Sequence, residues 1–133
     1  MPFTVNDLKS FAQDYAKAWS SGSAESVGDH YAITGKITIN RGDPLVGRDA
    51  VIEMAAGFMA EFPDLNLTCD EVRCSGTHVL FAWTLDGHHA ETKNYVMFSG
   101  WEEWELDDDM KVVCSLGWFD AEDYDRQIAG RGL

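Results

Sequence analysis

Asn94-Tyr-Val-Met-Phe-Ser-Gly-Trp-Glu-Glu-Trp-Glu-Leu106 and Met110-Lys-Val-Val-Cys-Ser-Leu-Gly-Trp-Phe-Asp120 are the two stretches that decide the fold. Both are rich in β-branched and aromatic residues, and the acidic turn at 107–109 joins them, which predicts a long hairpin. Side chains alternate between the two faces of a strand, and here both faces carry large apolar groups. This pattern predicts a strongly curved sheet, with one face lining a cavity and the other packing on helices or a second subunit. The two predicted faces of the first strand are Val96, Phe98, Glu102, Trp104 and Leu106, and Tyr95, Met97, Trp101, Glu103 and Glu105.

The rest of the chain predicts helices followed by strands. An apolar stripe from Leu8 to Trp19 recurs at three- and four-residue steps and predicts a first helix over 5–20. Ser23 is a candidate cap for a short second helix ending at Tyr31. Helices grouped on one face of a bent antiparallel sheet make an α+β domain. The remaining predicted elements are a strand over 33–40, a helix over 48–61, strands over 65–74 and 78–86, the hairpin, and a closing helix over 121–129.

Length and charge limit the classes of function. The 133 residues predict one domain, and the net charge of −13 argues against nucleic acid and anionic membrane surfaces as partners. No apolar run is long enough to span a membrane, and no signal peptide is expected at the N-terminus. Cys69, Cys74 and Cys114 lack metal-ligand spacing, so we expect reduced thiols in a cytoplasmic protein without a metal.

Several local motifs resemble one known family. They are the segment from Tyr15 to Gly22, Pro44-Leu-Val-Gly-Arg-Asp-Ala-Val51, Phe62-Pro-Asp-Leu65, Gly87-His-His-Ala-Glu91, and the segment from Val112 to Gln127. Their order resembles the SnoaL-like polyketide cyclases of the nuclear-transport-factor-2-like superfamily, which also includes ketosteroid isomerases. The resemblance implies one such domain over residues 1–133. It implies a cone in which a strongly curved antiparallel sheet and three N-terminal helices enclose an apolar pocket, and it implies a homodimer.

The same resemblance suggests catalytic residues. An Asp at the position of Asp120 serves SnoaL-like cyclases as acid/base, although here it is equally a candidate N-cap of the last helix. His89 matches a family loop histidine and is a candidate auxiliary, while the structural alternative is an exposed turn histidine. Ser115 stands where many members carry a histidine, and serine cannot accept a proton near neutral pH.

Comparison with ketosteroid isomerases adds two candidates. Tyr15 aligns with the oxyanion-hole tyrosine and Glu102 falls near the protonated aspartate that is the second donor. Tyr15 is equally placed to be an ordinary core aromatic. Asn40 occupies the region of the general base and cannot accept a proton, which makes steroid isomerisation a poor expectation.

Two functions follow as hypotheses. The first is a cofactor-free enzyme that performs proton-transfer chemistry (cyclisation, isomerisation or hydration) on a hydrophobic carbonyl compound, as a cyclase-like or isomerase-like enzyme. The second is a non-catalytic ligand-binding or dimerisation module, which the residues at 40 and 115 favour. The predicted ligand contacts are Trp104, Phe58, Phe62, Phe98, Asn40 and Ser115.

Overall fold

The computed structural model describes residues 3–130 and shows an α+β cone. Apart from the two-residue strand β2, which the sequence does not predict, helices and strands follow one another in the predicted order. The elements are α1 (Val5–Ser20), α2 (Ala24–Gly28), β1 (Tyr31–Ile39), β2 (Leu45–Val46), α3 (Arg48–Glu61), β3 (Asn66–Ser75), β4 (His78–His88), β5 (Tyr95–Leu106), β6 (Val112–Phe119) and α4 (Ala121–Ala129).

Side-chain caps define where the helices begin. The Thr4 hydroxyl accepts from the Asp7 N–H of α1 and the Asp7 carboxylate accepts from the Thr4 N–H, which is a complete capping box. Ser23 caps α2 through the Ser26 N–H, and the Asp120 carboxylate accepts from two N–H groups in the first turn of α4. The predicted helix starts are therefore confirmed, together with the physical reason for each.

The six strands form one curved sheet in the order β2-β1-β6-β5-β4-β3. The four strands after α3 are antiparallel neighbours, as predicted. The prediction of a purely antiparallel sheet needs one correction, because β1 runs parallel to β6. A parallel pair needs a long crossover, and the chain between these two strands supplies it.

The predicted second helix is also shorter than expected. It ends at Gly28, and Tyr31 begins β1 instead of ending the helix. A side chain at Gly28 would come within 2.4 Å of Ile52 on α3, so the glycine allows the two helices to pack closely. The placement of Tyr31 on a strand matters for the site, because its side chain becomes fully buried.

The structure shows one buried face of β5, as predicted, but the second face, predicted to pack on helices or a second subunit, is open to solvent in the single chain. Val96, Phe98, Glu102 and Trp104 are buried inside the cone. The opposite face is open to solvent and carries apolar side chains from three strands. Its exposed large apolar residues are Leu80, Tyr95, Met97, Trp101, Leu116 and Trp118.

Helix α4 completes the sheet where β6 stops. The described pairing of β6 with β5 ends at Gly100, which leaves the backbone at Met97 without a strand partner on that side. The Gln127 amide takes that place, because its oxygen accepts from Met97 N at 2.7 Å and its nitrogen donates to Met97 O at 2.9 Å. Asn94 Nδ2 donates to Ile128 O at 2.8 Å and fixes the end of the helix.

Candidate functional site

Glu102 is the centre of a buried polar cluster inside the cone. Strand alternation points it inward between Phe98 and Trp104, and its side chain is only 7% exposed. Four donors surround one carboxylate oxygen, Oε1: Trp104 Nε1 and Ser115 Oγ at 2.9 Å each, the Tyr15 hydroxyl at 3.0 Å, and the Tyr31 hydroxyl at 3.3 Å. The second oxygen, Oε2, accepts from the Tyr15 hydroxyl at 3.2 Å. The two tyrosine hydroxyls lie 3.1 Å apart.

Burial controls the ionisation of this cluster. Desolvation raises the pKa of Glu102, and hydrogen bonds from Trp104, Ser115 and the two tyrosines lower it without reversing the shift. Burial also raises the pKa of Tyr15 and of Tyr31 well above the usual value, and the adjacent Glu102 adds to both shifts. The carboxyl is therefore a group with a raised pKa, held by neutral donors.

A narrow, mainly apolar cavity has Glu102 in its wall. Its volume is about 50 Å³, and the empty space grows to about 490 Å³ when the open solvent at its mouth is included. Glu102 is the only ionisable residue among the described lining residues. The rest of the wall is Trp19, Ile37, Ile39, Met54, Phe58, Leu67, Trp83, Leu85, Phe98, Gly117, Trp118 and Phe119.

Trp83 forms part of the cavity wall and packs against Gly100. Its ring lies over Gly100, where a Cβ atom would come within 2.6 Å of Trp83 Cζ2 and 2.3 Å of Trp118 O. Only glycine at position 100 leaves room for the indole. Within residues 3–130, two buried side-chain polar atoms have no hydrogen-bond partner, and both are indole nitrogens of wall residues, Trp19 Nε1 and Trp83 Nε1.

The structure brings several of the predicted site residues together. Tyr15, Glu102, Ser115 and Trp104 form the buried cluster described above. Phe58 and Phe98 lie in the cavity wall. Trp104 is fully buried, stacks on Phe81 at 5.0 Å and uses its N–H on Glu102, so the structure places it beneath the cavity and outside its wall.

Other predicted residues lie elsewhere. Asp120 is exposed and caps α4, next to the wall residue Phe119. Asn40 Oδ1 accepts from Phe119 N at 2.9 Å, and Phe62 is fully buried beside His89, so neither lines the cavity.

The expectation of an exposed turn histidine at His89 is wrong. His89 is only 7% exposed, because its ring packs edge-on against Phe62 at 5.6 Å. Its Nε2 lies 3.5 Å from Glu61 Oε1. Glu61 also accepts from the Tyr124 hydroxyl at 2.9 Å, so the histidine belongs to a contact between α3 and α4.

Sequence reasoning missed two members of the site. The sequence predicts a helix that ends at Tyr31, and a helix end gives no inward direction for that side chain. Trp83 is not among the predicted ligand contacts. The signal that could have identified Trp83 is its position opposite a glycine. Residue 83 on β4 pairs directly with residue 100 on β5.

No helix within residues 3–130 has the length and hydropathy needed to cross a membrane. No group of three or more His, Cys, Asp and Glu side chains in this part of the chain is arranged to hold a metal ion.

Comparison with known proteins identifies similar sequences and folds. The sequence profile of the SnoaL-like domain matches residues 12–114. No curated protein matches the chain significantly.

Solved structures extend the comparison to nearly the whole chain. A protein of ketosteroid-isomerase-like fold from Catenulispora acidiphila, in complex with trimethylamine, superimposes with a TM-score of 0.82 at 15% identity, covering 92% of this chain and 93% of its own. AclR from Streptomyces galilaeus, named as a hydroxylase, has a TM-score of 0.82 at 16% identity, with 97% and 100% covered. A protein from Jannaschia sp., named as a SnoaL-like polyketide cyclase, has a TM-score of 0.78 at 14% identity, with 93% and 94% covered. The fold is thus the nuclear-transport-factor-2-like cone.

Proposed function

Since the chain belongs to the SnoaL-like family, we propose that it is a cofactor-free enzyme that transfers protons on a small hydrophobic carbonyl compound in its cavity. The observation that carries this proposal is Glu102, a carboxyl with a raised pKa on an apolar cavity wall. A base is most effective when its pKa lies near the working pH, and burial moves the pKa of a carboxyl in that direction.

In the proposed reaction, the Glu102 carboxylate removes a proton from the carbon next to the carbonyl. The C–H electrons form the enolate, and the protonated Glu102 returns the proton to the same or another carbon. Donors from Tyr15, Trp104 and Ser115 hold the carboxylate in one orientation. Cyclisation and isomerisation share this first step, so one assay covers both. The acid/base role of Asp120 and the auxiliary role of His89 stay predictions.

Deuterium exchange tests the proposal directly. A panel of neutral cyclic ketones is incubated in D₂O with the protein, and loss of the α-proton signals is followed by NMR. We expect Glu102→Gln to slow exchange by about 100-fold or more, the usual contribution of a general base. Glu103→Gln is the matched control, because Glu103 is on the same strand and the opposite face. Exchange that is equal in both variants and the wild type overturns the role of Glu102.

A binding module is the second candidate function. The narrow, mainly apolar cavity of about 50 Å³ favours it, since such a site can hold an apolar group without chemistry. Saturable ketone binding with no exchange by the wild-type protein supports this alternative over the enzyme.

We also propose a homodimer that buries the outer face of the sheet. The support is the apolar character of that face, where Trp101 is 38% exposed and Leu116 is 46% exposed. Sedimentation velocity of Leu116→Glu should show a shift to monomer. Val5→Glu on α1, at a residue 55% exposed, should leave the dimer intact. A monomeric wild-type protein at micromolar concentration contradicts this proposal.

A cytoplasmic location is part of the same proposal. The three cysteines are free, and reduced thiols are typical of a reducing compartment. Cell fractionation with a tagged chain tests this, and recovery outside the cytoplasm contradicts it.

A further inference from the structure

We propose that Met54 decides how large a ligand the cavity admits, so that shortening this side chain moves the preference of the cavity toward larger ring compounds. The inference rests on the proposed function for the class of ligand, a small hydrophobic ketone, and it adds a residue that determines specificity by size. Met54 lies on α3, lines the cavity and is only half-buried.

The cavity wall has a buried inner part and a rim that reaches solvent. The inner part consists of buried side chains from α1, β1, β3, β4 and β5. Half-buried side chains that line the cavity and also reach solvent form the part of the wall next to the mouth. We call the large apolar ones the rim, and they are Ile39, Met54, Phe58 and Phe119.

Met54 is the adjustable member of the rim. Ile39 is β-branched and belongs to a strand, so its side chain has few rotamers. Phe58 packs edge-on against the indole of α1 at 6.0 Å, and Phe119 lies 5.2 Å from the ring of Phe98. Met54 is unbranched, with three rotatable bonds and a polarisable sulfur, and such a side chain adapts to irregular space. A ligand at the rim therefore meets three stiff side chains and one flexible one.

Shortening Met54 should enlarge the cavity without disrupting α3. That helix packs on the core through Val51 and Ala55, which are fully buried, whereas Met54 is partly exposed. Alanine at position 54 leaves those two contacts and removes the atoms beyond Cβ. The cavity has a volume of only about 50 Å³, so the space set free is a large addition to it.

Size is the property by which this wall can distinguish one neutral ketone from another. The described lining residues include no Lys, Arg or His, and Glu102 is their one ionisable group. A larger ring differs from a smaller one only in its methylene groups. Each methylene that the enlarged site newly buries should improve affinity about fourfold.

The test measures the binding of cyclopentanone, cyclohexanone, cycloheptanone and cyclooctanone by ligand-observed NMR titration. The proteins are the wild type, Met54→Ala and the control Met59→Ala. Met59 is on the same helix and half-buried against the core, but it is not among the described lining residues. Met54→Val, which removes less of the side chain, serves the same test if the alanine variant does not fold.

We expect the affinity of cyclooctanone relative to cyclohexanone to rise about fourfold to fifteenfold in Met54→Ala, less in Met54→Val, and to stay unchanged in Met59→Ala. An unchanged ratio in Met54→Ala, an equal change in Met59→Ala, or no saturable ketone binding by the wild type overturns the inference. Binding requires no turnover, so the size shift stands if the exchange assay fails. Exchange that depends on Glu102 without any size shift refutes the role of Met54 alone.

Discussion

Replacing Glu102 by leucine or glutamine separates its role in the buried cluster from its charge. Leucine removes the acceptor of Trp104 and Ser115, which then have no partner within the cluster. The tyrosine hydroxyls, 3.1 Å apart, can still bond each other, which leaves one of their two protons without an acceptor. Glutamine keeps one acceptor oxygen at the same position and cannot ionise.

The expected magnitudes follow from the three donors left without an acceptor, which are Trp104 Nε1, Ser115 Oγ and one tyrosine hydroxyl. Each buried donor left without a partner costs about 1–3 kcal/mol, and the apolar gain from leucine offsets about 1.5–3 kcal/mol of the sum. We expect Glu102→Leu to lower the free energy of unfolding by about 2–6 kcal/mol, a large part of the ~5–15 kcal/mol of a typical domain. Glu102→Gln should lower it by less than about 2 kcal/mol.

The pH dependence gives a second, independent readout. A carboxyl with a raised folded-state pKa contributes stability below its ordinary value of 4.5, and that contribution is lost as the pH rises through the folded pKa. The stability of the wild type relative to Glu102→Gln should therefore fall as the pH rises above about 4.5.

Urea unfolding followed by tryptophan fluorescence measures both effects. Curves are collected from pH 4 to pH 8 for the wild type and both Glu102 variants, with Glu103→Gln as the control that should stay within about 1 kcal/mol. A Glu102→Leu protein as stable as the wild type refutes the hydrogen-bond account. A relative stability that rises with pH refutes the raised pKa.

Three further predictions follow from other parts of the molecule. Gly100→Ala should destabilise the protein and broaden the Trp83 indole signal, because the new methyl meets Trp118 O at 2.3 Å; unchanged thermal unfolding contradicts this. Asp120→Ala should lower stability by about 0.5–2 kcal/mol in urea unfolding, whereas Asp120→Ser should keep the helix cap and lose activity only if the carboxylate acts in catalysis. The pKa of His78 should lie above 6.5 in an NMR titration and fall in Glu105→Gln, since Glu105 and Glu103 hydrogen-bond to its ring; an unchanged pKa in that variant argues against the contact.

Periodicity predicted most of the fold because local signals and tertiary packing agree. The bounds of α1, α3 and α4 follow the predicted ranges, since caps and apolar stripes are properties of neighbouring residues. The parallel pairing of β1 with β6 could not be predicted in the same way. It joins residues about 80 positions apart, such as Ile37 and Ser115, and no local pattern records which distant strand is the partner.

Strand alternation predicts which residues of β5 share a face, but not which face lines the cavity. Glu102 shares its face with Phe98 and Trp104, and the structure turns that face inward. The grouping of Tyr15 with Glu102 comes from the family resemblance. The direction of Tyr31 and the burial of His89 depend on where a short helix ends and how a loop packs. Both are decided by tertiary contacts, which composition does not reveal.

The amide of Gln127 makes the closing helix a substitute strand for Met97. Any opening of the cone that lifts this helix therefore exposes a bare sheet edge, and such edges pair readily with other chains. A chain shortened before residue 121 should for this reason self-associate through β5 instead of forming a wider, accessible cavity. Engineering for larger ligands is better directed at the wall than at the terminus.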